Sequence, residues 1–257
     1  MGLTIHYNLT APESWSEDDV CGRFEILGDY ARHLGCAEVS TVLAPHESEG
    51  VADKLHKVGR GWAERYVPIH PQSGSLLRIN IGEGCETFVL GLCKYPQSWR
   101  CRHGRSMQRW HPTKISGEWQ FSWFCKTQFA GKHGATHFLR CHRTVVSLLD
   151  FCRKGGIAVK VQDEAGYWEN RDESKLVKTV RSSEAMLAAF GGLLKDKDGQ
   201  KSEREIKSPI FDYANFEHLE HEGWQRFGKV FAPLMETKRL MGEIDASIKQ
   251  HGRWPLK

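Results

Sequence analysis

Two carboxylates stand side by side where an apolar alternation ends. Asp163 and Glu164 follow the segment IAVKV, whose alternate residues are apolar, as in a half-buried strand. Because neighbouring residues of a strand point to opposite faces, we expect Asp163 on the packed side and Glu164 on the polar side. The two acids are therefore not expected to form a carboxylate dyad. Asp163 could hold a divalent metal or orient a histidine, and Glu164 could act as a general base.

The same two acids also have a structural interpretation. A carboxylate before a glycine-containing turn often accepts hydrogen bonds from backbone N–H groups, and Ala165 and Gly166 follow directly. In that case Asp163 stabilises the turn and Glu164 is solvated.

Cationic and polar residues lie near the end of a second alternating segment, 119–129. Its polar face carries Ser122, Phe124, Lys126 and Gln128, and the turn GKHG then leads into a helix, whose first N–H groups attract phosphate or carboxylate groups. We therefore predict one site from both segments. Its catalytic candidates are Asp163, Glu164, His137 and Lys126, and its ligand-binding candidates are Gln128, Lys132, His133 and Trp168.

Helical spacing argues against a metal pair in HFLRCH. His137 and His142 are separated by about 140° around a helix, whereas chelating pairs stand four residues apart. His142 lies in an apolar stripe with Phe138 and Val145, which indicates a hydrogen-bonded core histidine. His133 and His137 have the four-residue spacing, but Gly134 between them leaves the helical state of His133 open.

The segment 94–114 is rich in basic and aromatic residues and contains no acid. Arginine side chains suit phosphate oxygens, and indole rings can stack on unpaired bases. The candidate contacts to nucleic acid or to a protein partner are Arg100, Arg102, Arg105, Arg109, Trp99 and Trp110. An acidic protein partner would suit these residues equally well. The segment could also be a solvated loop whose tryptophans pack on the body of the protein.

Two β-α-β patterns position these residues. The first joins a strand through Leu3 and Leu9, a helix capped by Ser16, and a strand at 37–44. The second joins 119–129, a helix and the strand 157–163. Since strands connected in this way run parallel, the ends of 119–129 and 157–163 should share one sheet edge, where open α/β sheets bind ligands.

The predicted fold is α/β, with a mixed, partly parallel sheet built from the two β-α-β units and a central β-meander. The expected core domain spans 1–194 and includes a helix that Asp172 caps. A charged linker, 195–208, and an aromatic-rich helical extension packing on the core, 209–257, complete the predicted domains.

Composition limits the class of protein. The chain has 257 residues, 40% hydrophobic and 26% charged, with a net charge of +4, which is typical of soluble globular proteins. It has no stretch of about 20 apolar residues, and its start does not resemble a secretory signal, so we expect a cytoplasmic protein without a membrane span. The cysteines include no C-x-x-C pair, which favours reduced thiols over zinc-ribbon or redox sites.

Two functions follow from these features. The favoured one is a hydrolase that processes a phosphate-bearing ligand, either a nucleotide or nucleic acid, at the ends of strands 119–129 and 157–163. The alternative is a non-catalytic α/β binding module that contacts RNA, single-stranded DNA or an acidic protein through the basic loop 94–114. The sequence contains no P-loop and no G-x-S-x-G motif.

Overall fold

The alternating segment at the start of the chain forms a central strand of a six-stranded sheet. The computed structural model describes residues 3–48, 50–58, 65–103, 107–113, 115, 117–198 and 207–251. The chain divides into two compact units, Gly2–Leu176 and Val177–Lys257. The strands are β1 (Thr4–Ala11), β2 (Glu38–Val39), β3 (Lys54–Val58), β4 (Arg65–Ile69), β5 (Ser73–Asn80), β6 (Phe88–Lys94), β7 (Ser98–His103), β8 (Met107–Pro112), β9 (Trp119–Lys126) and β10 (Ala158–Asp163).

The main sheet has the order β10-β1-β9-β6-β5-β2, and every described pair of strands in it is antiparallel. The mixed α/β class is therefore confirmed, but the predicted partly parallel sheet is wrong. The reason is that other strands separate the partners of each predicted unit. β1 lies between β9 and β10, which is a split β-α-β arrangement, and three strands lie between β1 and β2.

Two helices of this unit begin and bury residues as their sequences predict. Helix α1 (Glu17–His33) starts with a capping box, in which the Asp19 N–H donates to Ser16 Oγ over 3.1 Å and the Ser16 N–H donates to Asp19 Oδ2 over 2.9 Å. Helix α2 (Ala135–Lys154) buries its apolar stripe, including Phe138, Val145 and Leu149. Hydrophobic burial of these two faces stabilises the unit.

The remaining described strands pair as two ribbons outside the main sheet. β3 pairs with β4, and β7 pairs with β8, both antiparallel. Most of the basic segment, expected as a loop, is thus a hairpin in which the backbone groups satisfy one another. Its register joins Arg100 to Trp110, Cys101 to Arg109 and Arg102 to Gln108. Arg105 lies outside the described residues.

Further helices follow β10. The short α3 (Tyr167–Asn170) precedes α4 (Glu173–Asp198), and α5 (Phe216–His251) follows a short 3-10 helix, Pro209–Asp212. The Lys175 N–H donates to Asp172 Oδ1 over 3.0 Å, so the predicted cap of α4 is confirmed. The helix continues to Asp198, into the expected linker. The predicted domain limits and the packing of the extension on the core stay predictions.

None of the described helices combines the length and the apolar composition that crossing a bilayer requires.

Candidate functional site

Asp163, at the end of β10, is buried and fully engaged. Its Oδ1 accepts from the Ala165 N–H over 2.9 Å, and its Oδ2 accepts from the Trp168 N–H over 2.9 Å and lies 3.2 Å from His142 Nε2. Burial by itself would raise the pKa of this carboxyl. The hydrogen bond and charge of His142, with the two backbone donors, outweigh burial and lower the pKa. Asp163 therefore stays ionised and holds the turn, as in the structural interpretation.

The partner histidine continues this network into the core. His142 Nδ1 lies 2.8 Å from Thr127 Oγ1, so a hydroxyl, an imidazole and a carboxylate form a chain. This order is that of a nucleophile, base and acid triad. Both Thr127 and His142 are completely buried, however, so a substrate has no access to the hydroxyl. The network is structural, and the prediction that His142 is a core histidine is confirmed.

Glu164 has different partners on the other side of the strand. Its Oε2 accepts from the Thr4 N–H over 3.0 Å, and its Oε1 lies 3.8 Å from His6 Nε2. The predicted separation of the two neighbouring acids is therefore confirmed by their contacts. Lys126 lies on β9, directly opposite Thr4 of β1, and its Nζ lies 3.5 Å from Glu86 Oε1.

The histidines before and at the start of α2 contact the turn at Glu83. His133 Nδ1 lies 3.4 Å from the Glu83 carboxylate, and His137 Nε2 lies 2.9 Å from the Glu83 carbonyl oxygen. His133 belongs to a short 3-10 helix, Gln128–His133, which also contains Lys132. This end of α2 already has a protein carboxylate beside it, where an anionic ligand was expected.

The other two ligand-binding candidates lie elsewhere. Gln128 is buried, and its Oε1 accepts from the Leu3 N–H over 3.1 Å, while its Nε2 lacks a partner within the described part of the chain. The Trp168 ring lies below the guanidinium groups of Arg153 and Arg171, at 5.3 and 4.8 Å. The contacts of the described residues thus distribute the catalytic and ligand-binding candidates over several small groups and do not join them into one.

The described cysteines are free thiols. Cys85 Sγ lies 3.8 Å from Cys125 Sγ, and Cys141 Sγ lies 3.5 Å from His137 Nε2. The hydrogen bond with Cys125 and burial raise the pKa of the Cys85 thiol, which keeps it protonated and weakly nucleophilic. In the part of the chain that is described, no three or more His, Cys, Asp or Glu side chains are placed to hold a metal ion.

The open face of the sheet carries a feature that the predictions missed. Directly opposed residues of antiparallel strands share a face, so His6 lies beside Phe124 on β9 and Gln162 on β10. His6 and Gln162 are exposed and Phe124 is half-buried. This face is therefore accessible within the unit and contains an aromatic ring among polar neighbours.

Phe124 belongs to a row of rings, defined as Phe121, Trp123, Phe124 and His6 and called the ring row below. The centroid distances along it are 6.3 Å, 5.5 Å and 6.0 Å, and the first two pairs are stacked, with interplanar angles of 26° and 14°. Phe121 is buried, Trp123 and Phe124 are half-buried, and His6 is exposed. Lys126 Nζ lies 5.4 Å from the Phe124 centroid. The row thus leads from the interior to solvent and has a cation beside it.

In the described register, β9 pairs only briefly with β6, its other neighbour in the main sheet. The described register between these strands consists of one pair, Cys93 with Gln120. Phe121 packs against Gly91 of β6, where a Cβ would lie 3.0 Å from the Phe121 ring. A cavity of about 340 Å³ lies beside β9, and its lining residues are Val51, Ala52, Asp53, Lys54, Leu55, Tyr95, Phe121, Ser122 and Trp123.

Lys54 supplies a cation to this cavity. Its Nζ donates to Gln120 Oε1 and lies 4.6 Å from the centroid of the Tyr95 ring. Burial lowers the pKa of this ammonium. The preceding residue, Asp53, has a partner of its own, because its Oδ1 lies 2.8 Å from His70 Nδ1.

One sequence signal could have located this surface. Phe124 alternates with the apolar residues of its strand and falls among Ser122, Lys126 and Gln128, where a polar residue is the rule. An aromatic residue on the polar face of a strand is an indication of a contact surface. The role of Lys54 had no comparable signal, because its neighbours in the cavity come from distant segments.

The chain matches no protein-family model, no curated protein and no solved structure. The geometry therefore carries the functional argument.

Proposed function

We propose that this protein binds unpaired nucleic-acid strands on the open face of its main sheet. The observation that carries the proposal is the outer end of the ring row, where the half-buried Phe124 and the exposed His6 lie together on the open face beside Lys126. Proteins that hold single strands combine aromatic side chains for the bases with cations for the phosphates.

The open face suits single strands better than a duplex. Bases in a duplex are stacked on one another, whereas those of a single strand are free to stack on protein rings. His6 is exposed and Phe124 is half-buried, so an extended strand could reach both. The polar neighbours Asn8, Ser122 and Gln162 offer hydrogen-bonding groups without blocking the face.

Charge adds support at longer range. The hairpin of β7 and β8 is rich in arginine, and the chain has a net charge of +4. Arginine and lysine neutralise phosphates and contribute most of the sequence-independent affinity. Which of RNA and single-stranded DNA is preferred depends on contacts to the 2′-hydroxyl.

The hydrolase favoured by the sequence stays a prediction, as does an acidic protein partner. Binding is the better-supported function because Phe124 and His6 lie side by side on the open face, with the Lys126 ammonium beside the Phe124 ring. The catalytic candidates Asp163, Glu164, His137 and Lys126 have separate partners within the described residues.

The test is direct binding of short uridine and thymidine oligonucleotides to the full chain, followed by fluorescence anisotropy. Phe124→Leu keeps an apolar side chain but removes the aromatic face. Since one base stacked on one ring contributes roughly 1–3 kcal/mol, we expect affinity to fall about 5- to 150-fold.

A matched control is Tyr30→Leu. Tyr30 stacks on Phe151, with centroids 4.2 Å apart, in the helix layer, so its loss removes an equally packed ring away from the open face. We expect wild-type affinity in this variant. Equal losses in both variants, or no binding of either oligonucleotide by the wild type, would refute the proposal.

A further inference from the structure

The cavity beside β9 is large enough for one small ligand. Its volume of about 340 Å³ is near the lower end of ligand-binding cavities, which begin at roughly 300 Å³. Tyr95, Phe121 and Trp123 line it, and the last two are also members of the ring row. A planar ring that enters the cavity would therefore meet aromatic surface.

Within the described part of the chain, the cation in this cavity has no anionic partner. Among the described residues, no carboxylate pairs with the half-buried Lys54, and the nearby Asp53 is engaged with His70. An ammonium has three N–H donors, of which one reaches Gln120 and one side faces the Tyr95 ring. A charge removed from water without a counter-ion is unfavourable, so an anionic group on the ligand would stabilise it.

We propose that this cavity binds one nucleotide unit, with its base among the aromatic side chains and its phosphate on the Lys54 ammonium. The inference rests on the proposed function, because it names the unit that is bound where the ring row enters the interior. The nucleotide can come from a strand or be free in solution, since the recognised chemistry is the same in both.

The experiment compares a nucleotide with its nucleoside. Calorimetric titration of the full chain with adenosine monophosphate and with adenosine measures what the phosphate adds. A hydrogen bond to a charged group contributes enough for roughly a tenfold or greater preference for the nucleotide. Lys54→Met keeps the length of the side chain and removes the charge, so this preference should disappear while adenosine still binds.

Lys94→Met is the matched control. Lys94 is also half-buried, and its Nζ lies 4.8 Å from the Trp119 ring, but it does not line the cavity. We expect it to keep the preference for the nucleotide. A preference that persists in Lys54→Met, or that is lost equally in Lys94→Met, overturns the inference.

A second variant covers the case in which Lys54→Met does not fold. Ser122 is exposed and lines the cavity, so Ser122→Trp fills it from outside without disturbing the core. We expect this variant to lose binding of adenosine monophosphate. Unchanged binding would place the nucleotide elsewhere and overturn the inference.

The outcomes also separate this inference from the proposed function. If the protein binds oligonucleotides but shows no preference for the mononucleotide over adenosine, only the inference about the cavity is overturned. A Lys54-dependent preference without oligonucleotide binding overturns strand binding and assigns the cavity to free nucleotides. If both hold, oligonucleotides with and without a terminal phosphate distinguish a strand end, which requires that phosphate, from an internal nucleotide.

Discussion

The carboxylate of Asp163 illustrates how contacts decide the role of a residue. Its two oxygen atoms accept from the N–H groups of Ala165 and Trp168, and His142 occupies the remaining side. Each of these contacts requires the ionised form, because a carboxylate only accepts hydrogen bonds. A group so engaged stabilises the fold and is not available to a substrate.

Asp163→Asn should destabilise the unit Gly2–Leu176. The amide nitrogen of asparagine would place a donor against a donor in a buried site, so we expect the free energy of unfolding to fall by roughly 2–4 kcal/mol at neutral pH. Urea unfolding measures this change. Glu164→Gln is the control, because the Glu164 side chain is 41% exposed and glutamine keeps an acceptor for Thr4.

Acid should remove the difference between Asp163→Asn and the wild type. The pKa of Asp163 is lowered in the folded state, so its stabilising contribution is present above the unfolded pKa, near 4, and is lost as the pH falls through the folded value. A difference in unfolding free energy that stays constant on acidification would contradict this account.

At the scale of elements, helices α4 and α5 approach each other closely in the unit Val177–Lys257. A Cβ on Gly223 of α5 would lie 1.9 Å from the Ala185 carbonyl oxygen of α4. The two helices therefore meet backbone to backbone at this glycine. Glu184 is only 8% exposed here, and the Tyr213 hydroxyl donates to its Oε1 over 3.2 Å.

Glu184 should make this helical unit less stable as the pH rises. Burial raises its pKa to about 7, against smaller opposing effects of the Tyr213 hydrogen bond and the Arg181 charge. The folded state therefore holds a proton that the unfolded state releases near pH 4.5. The stabilising contribution is complete below that pH and is lost as the pH rises through about 7, amounting to about 3 kcal/mol at most.

Glu184→Gln mimics the protonated form and tests this dependence. At about pH 8 we expect the variant to be more stable than the wild type, by up to about 3 kcal/mol, and near pH 4 we expect nearly equal stabilities. Urea unfolding with helix content as the signal measures both. Glu217→Gln, an exposed change in the first turn of α5, is the control. A wild type whose stability does not change between these pH values would disprove the raised pKa.

Charge distribution matters at the scale of the whole molecule. The net charge is only +4, yet the segment 94–114 contains six basic residues and no acid. A long-range attraction for phosphates would therefore be concentrated in the hairpin of β7 and β8. The ring row and the hairpin would then contribute differently, the former through stacking and the latter through counterion release.

Combined replacement of Arg100, Arg102 and Arg109 by serine should weaken the salt dependence of oligonucleotide binding. Each phosphate neutralised on a single strand contributes about 0.7 to the slope of log affinity against log salt, so the slope should become shallower by up to about 2. Titrations over a range of salt concentrations measure this slope. Replacing Lys175, Lys178 and Lys229 by serine removes the same charge from α4 and α5, and an equal effect there would show that only net charge matters.

Local features of the fold were predictable from sequence. The cap at Ser16, the cap at Asp172 and the buried face of α2 each depend on residues within one or two turns of helix. The opposite orientations of Asp163 and Glu164 follow from the two-residue period of a strand. His142 could be assigned to the core because its apolar neighbours recur at helical spacing.

Strand order and the ring row were decided by tertiary structure alone. The alternating pattern of a strand is the same in parallel and antiparallel sheets, so it does not reveal that β1 enters between β9 and β10. That insertion pairs His6 with Phe124, residues more than a hundred positions apart, and the cavity joins Lys54 to Trp123 in the same way. The sequence by itself determined which residue types were present and on which face of its helix or strand each would lie. Their meeting in the folded protein required contacts between distant segments, which no local periodicity encodes.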